Sequence, residues 1–243
     1  MLNEKDFTAE LMRVFKANSM GKLLGRDTAE KLFALTEFML AENEKYNLTA
    51  ITEPKAIILN HYADCATLSE HLPNGARIID VGCGAGFPTL PLALLRPDLK
   101  ITALDATAKR VAYVDSAAKL LGLTNVTPVC QRAEDLAKNP TYRESFDFAT
   151  ARAVATMRVL CELCLPFVKV GGKLIAMKGK NAQFELQESA KAISLLGGKK
   201  PTTVNVRLIG EEILEHPLIS IDKQNKTPAA YPRPFAQISK KPL

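Results

Sequence analysis

Asp80-Val81-Gly82-Cys83-Gly84-Ala85-Gly86-Phe87 sets three glycines at alternate positions between two apolar runs. The short apolar run before it, 77–81, reads as a β-strand, and the apolar stretch after it, 88–95, as a helix. A strand that turns through glycines into a helix is where an open α/β sheet receives ligands, because bare backbone allows close approach and the helix offers free amides. The spacing excludes the commonest such ligand. A dinucleotide loop reads G-x-G-x-x-G, whereas here the glycines are Gly82, Gly84 and Gly86, and Phe87 stands where the third dinucleotide glycine belongs. Asp80, at the strand end, would repel a pyrophosphate but suits a ligand carrying an ammonium and a sulfonium. The loop, with Asp80, Gly82, Gly84 and Phe87 as its contacts, is therefore read as a site for S-adenosylmethionine; the plain alternative is a glycine turn with no ligand.

Outward from the loop, strand and helix patterns alternate. Strands are expected at 100–105, 125–130, 146–150, 173–178, 203–209 and 235–239, and helices at 108–121, 156–165 and 182–196. Gly122 and Gly197-Gly198 supply helix ends. This alternation predicts an α/β fold: a Rossmann-like sheet of seven strands with helices on both faces. Asp105 ends the second strand, where a carboxylate can accept from both ribose hydroxyls. After the third strand come Arg132-Ala133-Glu134-Asp135. The Ala133 amide and a carboxylate at Glu134 or Asp135 are placed to read an adenine edge, although the same charges would also suit a solvated loop.

The first 72 residues differ in character. Phe7, Leu11, Val14 and Phe15 fall at helical spacing, as do Leu32, Leu35, Phe38 and Met39, and Asp27-Thr28-Ala29-Glu30 reads as a capping box. A third helix starts near Pro54 and runs to about 72. The expected organisation is an N-terminal helical extension, 1–72, followed by the cofactor domain, 73–243.

With 47% hydrophobic residues in 243, the chain can bury a real core. No run approaches the roughly 20 apolar residues that span a bilayer, and the start lacks a signal-peptide layout, so a cytoplasmic protein without membrane contact, a monomer, is expected. Five cysteines include one C-x-x-C, Cys161 to Cys164, with no second pair to complete a metal site. The net charge of +6 is uneven: residues 1–168 carry 19 Lys+Arg against 20 Asp+Glu, and residues 169–243 carry 13 against 6. A basic last third suits a polyanion such as nucleic acid, or simply solubility.

Several pieces together resemble a known family: Asn47-Leu48-Thr49, His61 with Asp64, the glycine loop, Asp105-Ala106-Thr107-Ala108-Lys109-Arg110, Arg132-Ala133-Glu134, Ala151-Arg152-Ala153, Lys178-Gly179, Tyr231-Pro232-Arg233 and Lys241-Pro242-Leu243. In order and spacing, from about residue 30 onward, they are similar to the bacterial small-subunit ribosomal RNA guanine-N7 methyltransferases, formerly called glucose-inhibited division protein B. The resemblance implies methylation of N7 of one guanine in 16S ribosomal RNA near the decoding site, with that RNA, free or in an assembled small subunit, as partner. It implies cofactor contacts at Gly82, Phe87, Asp105, Ala106, Thr107, Ala133, Glu134 and Arg152. Thr89 departs from the glycine usual after Phe-Pro, and Cys65 from the serine usual after Asp64.

Guanine N7 carries a lone pair and no proton, so its methylation calls for placement rather than a general base. Arg152 and Lys178, at the ends of the fourth and fifth strands, are the candidate groups to orient the base through O6. The plain alternatives are an ion pair of Arg152 with Asp80 or Glu162 and a solvated Lys178. His61 and Asp64, three apart on an apolar helix stripe, either satisfy each other or form a wall of the active site. Lys199, Lys200, Arg207, Tyr231 and Arg233 are expected to form an RNA-facing surface in the basic third.

Overall fold

The computed structural model describes residues 3–179 and 181–243. Its sheet has seven strands: β1 (Arg77–Val81), β2 (Lys100–Asp105), β3 (Val126–Cys130), β4 (Phe146–Arg152), β5 (Val168–Met177), β6 (Thr202–Ile209) and β7 (Ile213–Asp222). They lie in the order β3-β2-β1-β4-β5-β7-β6. β1 to β5 run parallel, and β7 is antiparallel to both β5 and β6. Ile78 and Ile79 are both fully buried although they face opposite sides of β1, as a central parallel strand covered on both faces requires. Strand order reverses between β1 and β4, and that switch point places a ligand cleft at their carboxyl ends.

The helices are α1 (Glu4–Ala17), α2 (Arg26–Tyr46), α3 (Pro54–Ile57), α4 (Asp64–Ala66), α5 (Thr89–Leu95), α6 (Ala108–Leu120), α7 (Ala133–Leu136), α8 (Met157–Cys164), α9 (Ala182–Leu195) and α10 (Phe235–Lys240). None of the described helices is long and apolar enough to cross a membrane. The first seventy residues do not hold a core of their own. Phe7, Leu11, Leu35, Ile57 and Tyr62 are buried in one cluster with Ile78, Leu90 and Val114 from the sheet side. The other face of the sheet packs α8 and α9 through Leu160, Leu163, Ala192 and Ile193. Asn18, just beyond α1, reaches the far end of β6: its side-chain amide donates to the Ile209 carbonyl at 2.9 Å and its oxygen accepts from the Ile209 N–H at 2.8 Å. It pairs with the edge strand as another backbone would.

Three expectations are corrected. The seventh strand is Ile213–Asp222, and 235–239 lies in the helix α10. The strand carries Pro217, which reads as a breaker. Its carbonyl faces β5, accepting from Lys178 just past the last pair, Met177 with Leu218, so the missing N–H falls where the β5 ladder has ended. Second, α2 is not capped by Asp27. Gly25 takes the cap position without a side-chain bond, and Asp27 pairs with Lys31 along the helix at 3.0 Å. Third, the helix expected to run unbroken from Pro54 to 72 widens into a π-helical turn over Ile58–Ala63 and tightens into a 3₁₀ turn over Thr67–His71.

The C-terminal segment is bolted down by a buried pair. Glu162, fully buried on α8, accepts from Arg233 Nε at 2.8 Å and Nη2 at 2.6 Å, and from the Arg233 backbone N–H at 2.9 Å. Removing one partner of such a pair strands a charge in the interior. Arg233→Met is therefore expected to destabilise the fold by about 3 kcal/mol in chemical denaturation, with much of the loss recovered when Glu162→Gln is added. Equal stability of Arg233→Met and wild type would show that the pair is not a stabilising element.

Candidate functional site

A cavity of about 450 Å³ opens at the carboxyl ends of β1, β2, β3 and β4. That is the size range of a small-molecule site. Its floor is the glycine loop. Gly82 has φ +76° and Gly86 +81°; a Cβ on Gly82 would lie 2.8 Å from a Val154 methyl, and one on Gly86 2.5 Å from a Leu90 methyl. The glycines thus serve packing from below and from the side as well as backbone exposure to the cavity.

One end of the cavity carries two carboxylates. Asp105 Oδ1 accepts from the Thr107 amide at 2.8 Å and Oδ2 from the Gly84 amide at 3.0 Å, which locks the carboxylate against the loop with a lone pair on each oxygen still open. Glu134, on α7, is buried, lines the cavity, and has no hydrogen-bond partner among the described residues. A buried carboxylate left open in this way is a receptor for a donor group. Asp135 points away and pairs with Lys138 at 3.4 Å, so of the two acidic residues only Glu134 faces the cavity.

The other end is built around Arg152. Its Nη1 donates to the Asn60 carbonyl at 2.9 Å and to Asp64 Oδ2 at 3.3 Å, while Nη2 lies 3.1 Å from His61 Nδ1. His61 Nδ1 is also 3.1 Å from the Asn60 carbonyl, which already accepts from Arg152 Nη1. The guanidinium has only donors, so Nδ1 is assigned as its acceptor and the proton to Nε2, 3.2 Å from the Thr49 hydroxyl. The His61 ring stacks on Phe87 with centroids 4.2 Å apart, and the Arg152 guanidinium lies 5.2 Å from the same ring. Burial, with the Arg152 charge beside it, pushes the His61 pKa down to about 4, so the imidazole is neutral. Asp64 also meets His216 Nε2 at 2.5 Å. Burial works against charge on His216, but the Asp64 hydrogen bond and charge outweigh it and raise its pKa.

His61 and Asp64 therefore hold Arg152 rather than each other; His61 lines the cavity, Asp64 lies behind it, and the partner of Arg152 is Asp64, not Asp80 or Glu162. Gly82, Gly84, Phe87, Asp105, Ala106, Thr107, Ala133, Glu134, Arg152 and His61 all line the cavity. Asp80 does not. It lies beneath the loop, accepting from Thr89 Oγ1 at 2.7 Å and Thr150 Oγ1 at 3.4 Å, and burial raises its pKa to about 6. Lys178 also stays outside the cavity: its ammonium donates to the Ala155 carbonyl at 2.7 Å and pairs with Glu185 at 2.7 Å. Glu185 in turn accepts from the Met157 amide, so Lys178 clamps the loop after β4 to α9. The buried Cys161 thiol is pushed up to about 12 by burial.

Of the five residues expected to face RNA, Arg207 and Arg233 have carboxylate partners and none lines the cavity. The Lys199 N–H donates to the carbonyl of Asp222, the last residue of β7, which pairs with Lys173, so Lys199 stands at the opposite end of β5 from the cavity. Arg207 pairs with Glu215 at 3.0 Å. Tyr231 is half-buried and its carbonyl accepts from Arg143, and Arg233 is committed to Glu162. Exposed cations instead flank the cavity mouth from the earlier half of the chain. Arg132 lies 5.1 Å from the Phe235 ring, and Arg110, also at the cavity, stands 3.7 Å from Asp105. Sequence reading missed His216, Thr49 as a wall residue and Phe235. The only signal for Phe235 was an exposed aromatic in a segment read as a strand.

Over residues 28–213 the chain matches the model of a family described as GidB, rRNA small subunit methyltransferase G. It is 42% identical over 228 residues to a ribosomal RNA small subunit methyltransferase G of Clostridium perfringens, covering 93% of this chain and 95% of that one. It is 45% identical to the protein of the same name from Leuconostoc mesenteroides, covering 85% and 87%. A crystal structure of a SAM-dependent O-methyltransferase from Thermotoga maritima shares the fold, with a TM-score of 0.50, 18% identity, and 78% of this chain and 72% of that chain covered.

The His61 geometry has a signed consequence for stability. Its folded pKa, about 4, lies below the ordinary 6.5, so the unfolded chain takes up a proton that the folded chain refuses. The contribution is present in full above 6.5 and is lost as pH falls toward 4, by up to about 3 kcal/mol. Relative to His61→Gln, wild-type unfolding free energy should fall over that window and stay level from pH 7 to 8. Imidazole ¹⁵N shifts showing a protonated His61 at pH 6 would contradict the assignment.

Proposed function

The chain belongs to the GidB family of small-subunit ribosomal RNA methyltransferases, and from that membership we infer that it transfers a methyl group from S-adenosylmethionine to N7 of a guanine in 16S ribosomal RNA near the decoding site. The observation that carries the reading is the polarity of the cavity: open carboxylates at one end, a guanidinium with unused donors at the other, and a bare-backbone floor between them.

The residues fit the donor on their own chemistry. Asp105 keeps acceptor capacity for two ribose hydroxyls, and the open carboxylate of Glu134 suits an exocyclic amine. Of the five N–H groups of Arg152, three are used within the chain, leaving Nε and one hydrogen on Nη2 for the cavity. Bound S-adenosylmethionine supplies an electrophilic methyl on sulfur. The chain has to bring an in-plane nitrogen lone pair up to it in a dry setting. Phe87, stacked under His61, and Val154 provide apolar wall there. No side chain need remove a proton, since N7 has none, and His61, with its Nδ1 facing the Arg152 donor and its pKa lowered to about 4 by burial, fits a wall rather than a base. The basic rim of Arg110 and Arg132 is suited to hold phosphates at the mouth.

Incubating the protein with labelled methyl donor and 16S RNA, free and as assembled subunits, should place label on a guanine N7, read by selective chain cleavage at that base. Label on an exocyclic amine or a ribose hydroxyl would overturn the N7 assignment. Glu134→Ala should raise the Kd for the donor roughly tenfold or more in calorimetry, the scale of a hydrogen bond to a charged acceptor.

A further inference from the structure

The Thr49 hydroxyl is oriented by its neighbours. Its oxygen accepts from the Ile51 amide at 3.0 Å, and it lies 3.2 Å from His61 Nε2. The second contact runs from His61 to Thr49 with the imidazole hydrogen on Nε2, the tautomer favoured by the donor-only guanidinium at 3.1 Å from Nδ1 over the one that would donate to the Asn60 carbonyl at the same distance, since that carbonyl already accepts from Arg152 Nη1. Thr49 therefore accepts twice, which uses both lone pairs of a hydroxyl, and its single hydrogen has no partner among the described residues. Thr49 lines the cavity beside His61 and Phe87, so that hydrogen is available to a ligand there. The Thr49 backbone is held as well, its N–H donating to Asn43 Oδ1 at 2.8 Å, which fixes where the residue stands against the cavity.

We propose that Thr49 donates this hydrogen bond to O6 of the target guanine and, through it, discriminates guanine from purines that lack a 6-oxo group. The assignment rests on the N7 reading above. Two acceptors compete for the site: the carboxylate of the donor's methionine end and guanine O6. The two unused N–H groups of Arg152 match the carboxylate in charge and in number. A neutral hydroxyl on the wall supplied by the N-terminal helices matches the neutral oxygen. Donors on the major-groove edge of guanine must engage O6 and leave N7 free, which a single directed hydroxyl does and a bidentate fork does not. A hydroxyl held as a donor by its own environment also meets the amine of adenine donor to donor, so a wrong base is rejected as well as the right one accepted.

The test is a cycle between Thr49 and O6. Wild type, Thr49→Val and Thr49→Ser are compared on 16S RNA ligated from segments that carry either guanine or 2-aminopurine, which keeps N7 but lacks O6, at the methylated position. Wild type should lose about tenfold in kcat/KM on 2-aminopurine, the scale of a neutral hydrogen bond. Thr49→Val should lose a similar factor on guanine and little more on 2-aminopurine; Thr49→Ser should restore most of the rate, and donor Kd should be unchanged in both variants. Equal penalties for the base change in wild type and Thr49→Val would overturn the proposal, and so would a loss in Thr49→Val that appears only as weaker donor binding. Methylation of wild-type RNA at an atom other than N7 would instead remove the reading on which it rests, so the two failures are distinguishable.

Discussion

The Arg152 guanidinium is the joint between the two halves of this structure. It stands at the end of β4, the strand next to the switch point, and is gripped by one turn of helical backbone from the N-terminal segment: the Asn60 carbonyl, the His61 ring and the Asp64 carboxylate. A charge this buried costs several kcal/mol unless it is matched, and Asp64 matches it while also holding His216 from β7. Three elements far apart in sequence thus meet at one carboxylate. His61 and Asp64 face the same way because they are three residues apart, and the wide π-helical turn ending at Ala63 lies between α3 and α4 where they do so. Burial keeps the His61 imidazole neutral with the guanidinium charge adding to it, and the Arg152 guanidinium also lies against the Phe87 ring on which His61 stacks.

Charge illustrates how sequence totals and surfaces can part company. The excess of positive charge lies in residues 169–243. Folding spends much of it on structure: Arg233 on Glu162, Lys178 on Glu185, Lys223 on a buried site with the Leu165 carbonyl and Thr227. What flanks the cavity mouth comes from segments whose totals are balanced. A polyanion meets the local field of a few exposed cations, not the sum over a stretch of chain.

The glycine loop, β1 to β6 and the two ends of the cofactor cavity were legible because each leaves a local mark: apolar runs of strand length, glycines in register, carboxylates at strand ends. β7 was not, because Pro217 interrupts its pattern and is tolerated only where the neighbouring strand stops. Asp80 was placed correctly at the strand end but assigned to the ligand, since side-chain direction depends on alternation across the strand and on Thr89 and Thr150, both contacts of the folded state. The partners of Arg152, Lys178 and Arg233 were illegible for the same reason. Glu162, Glu185 and Asp64 each looked like an ordinary helix carboxylate until the fold brought a cation to it.

The bond between Asn18 and Ile209 spans 191 positions of the chain. During synthesis α1 and α2 leave the ribosome long before the strand they lean on exists, since chains are made from the N-terminus at only tens of residues per second or fewer. Their apolar stripes, including Phe7, Leu11 and Leu35, must therefore wait for the sheet against which they are buried. Contacts of such long separation slow folding, and the helical segment at the front of the chain is in this sense the last to be paid its burial. Its exposed stripes in the meantime make the nascent chain a natural client for chaperones that bind apolar helical surface.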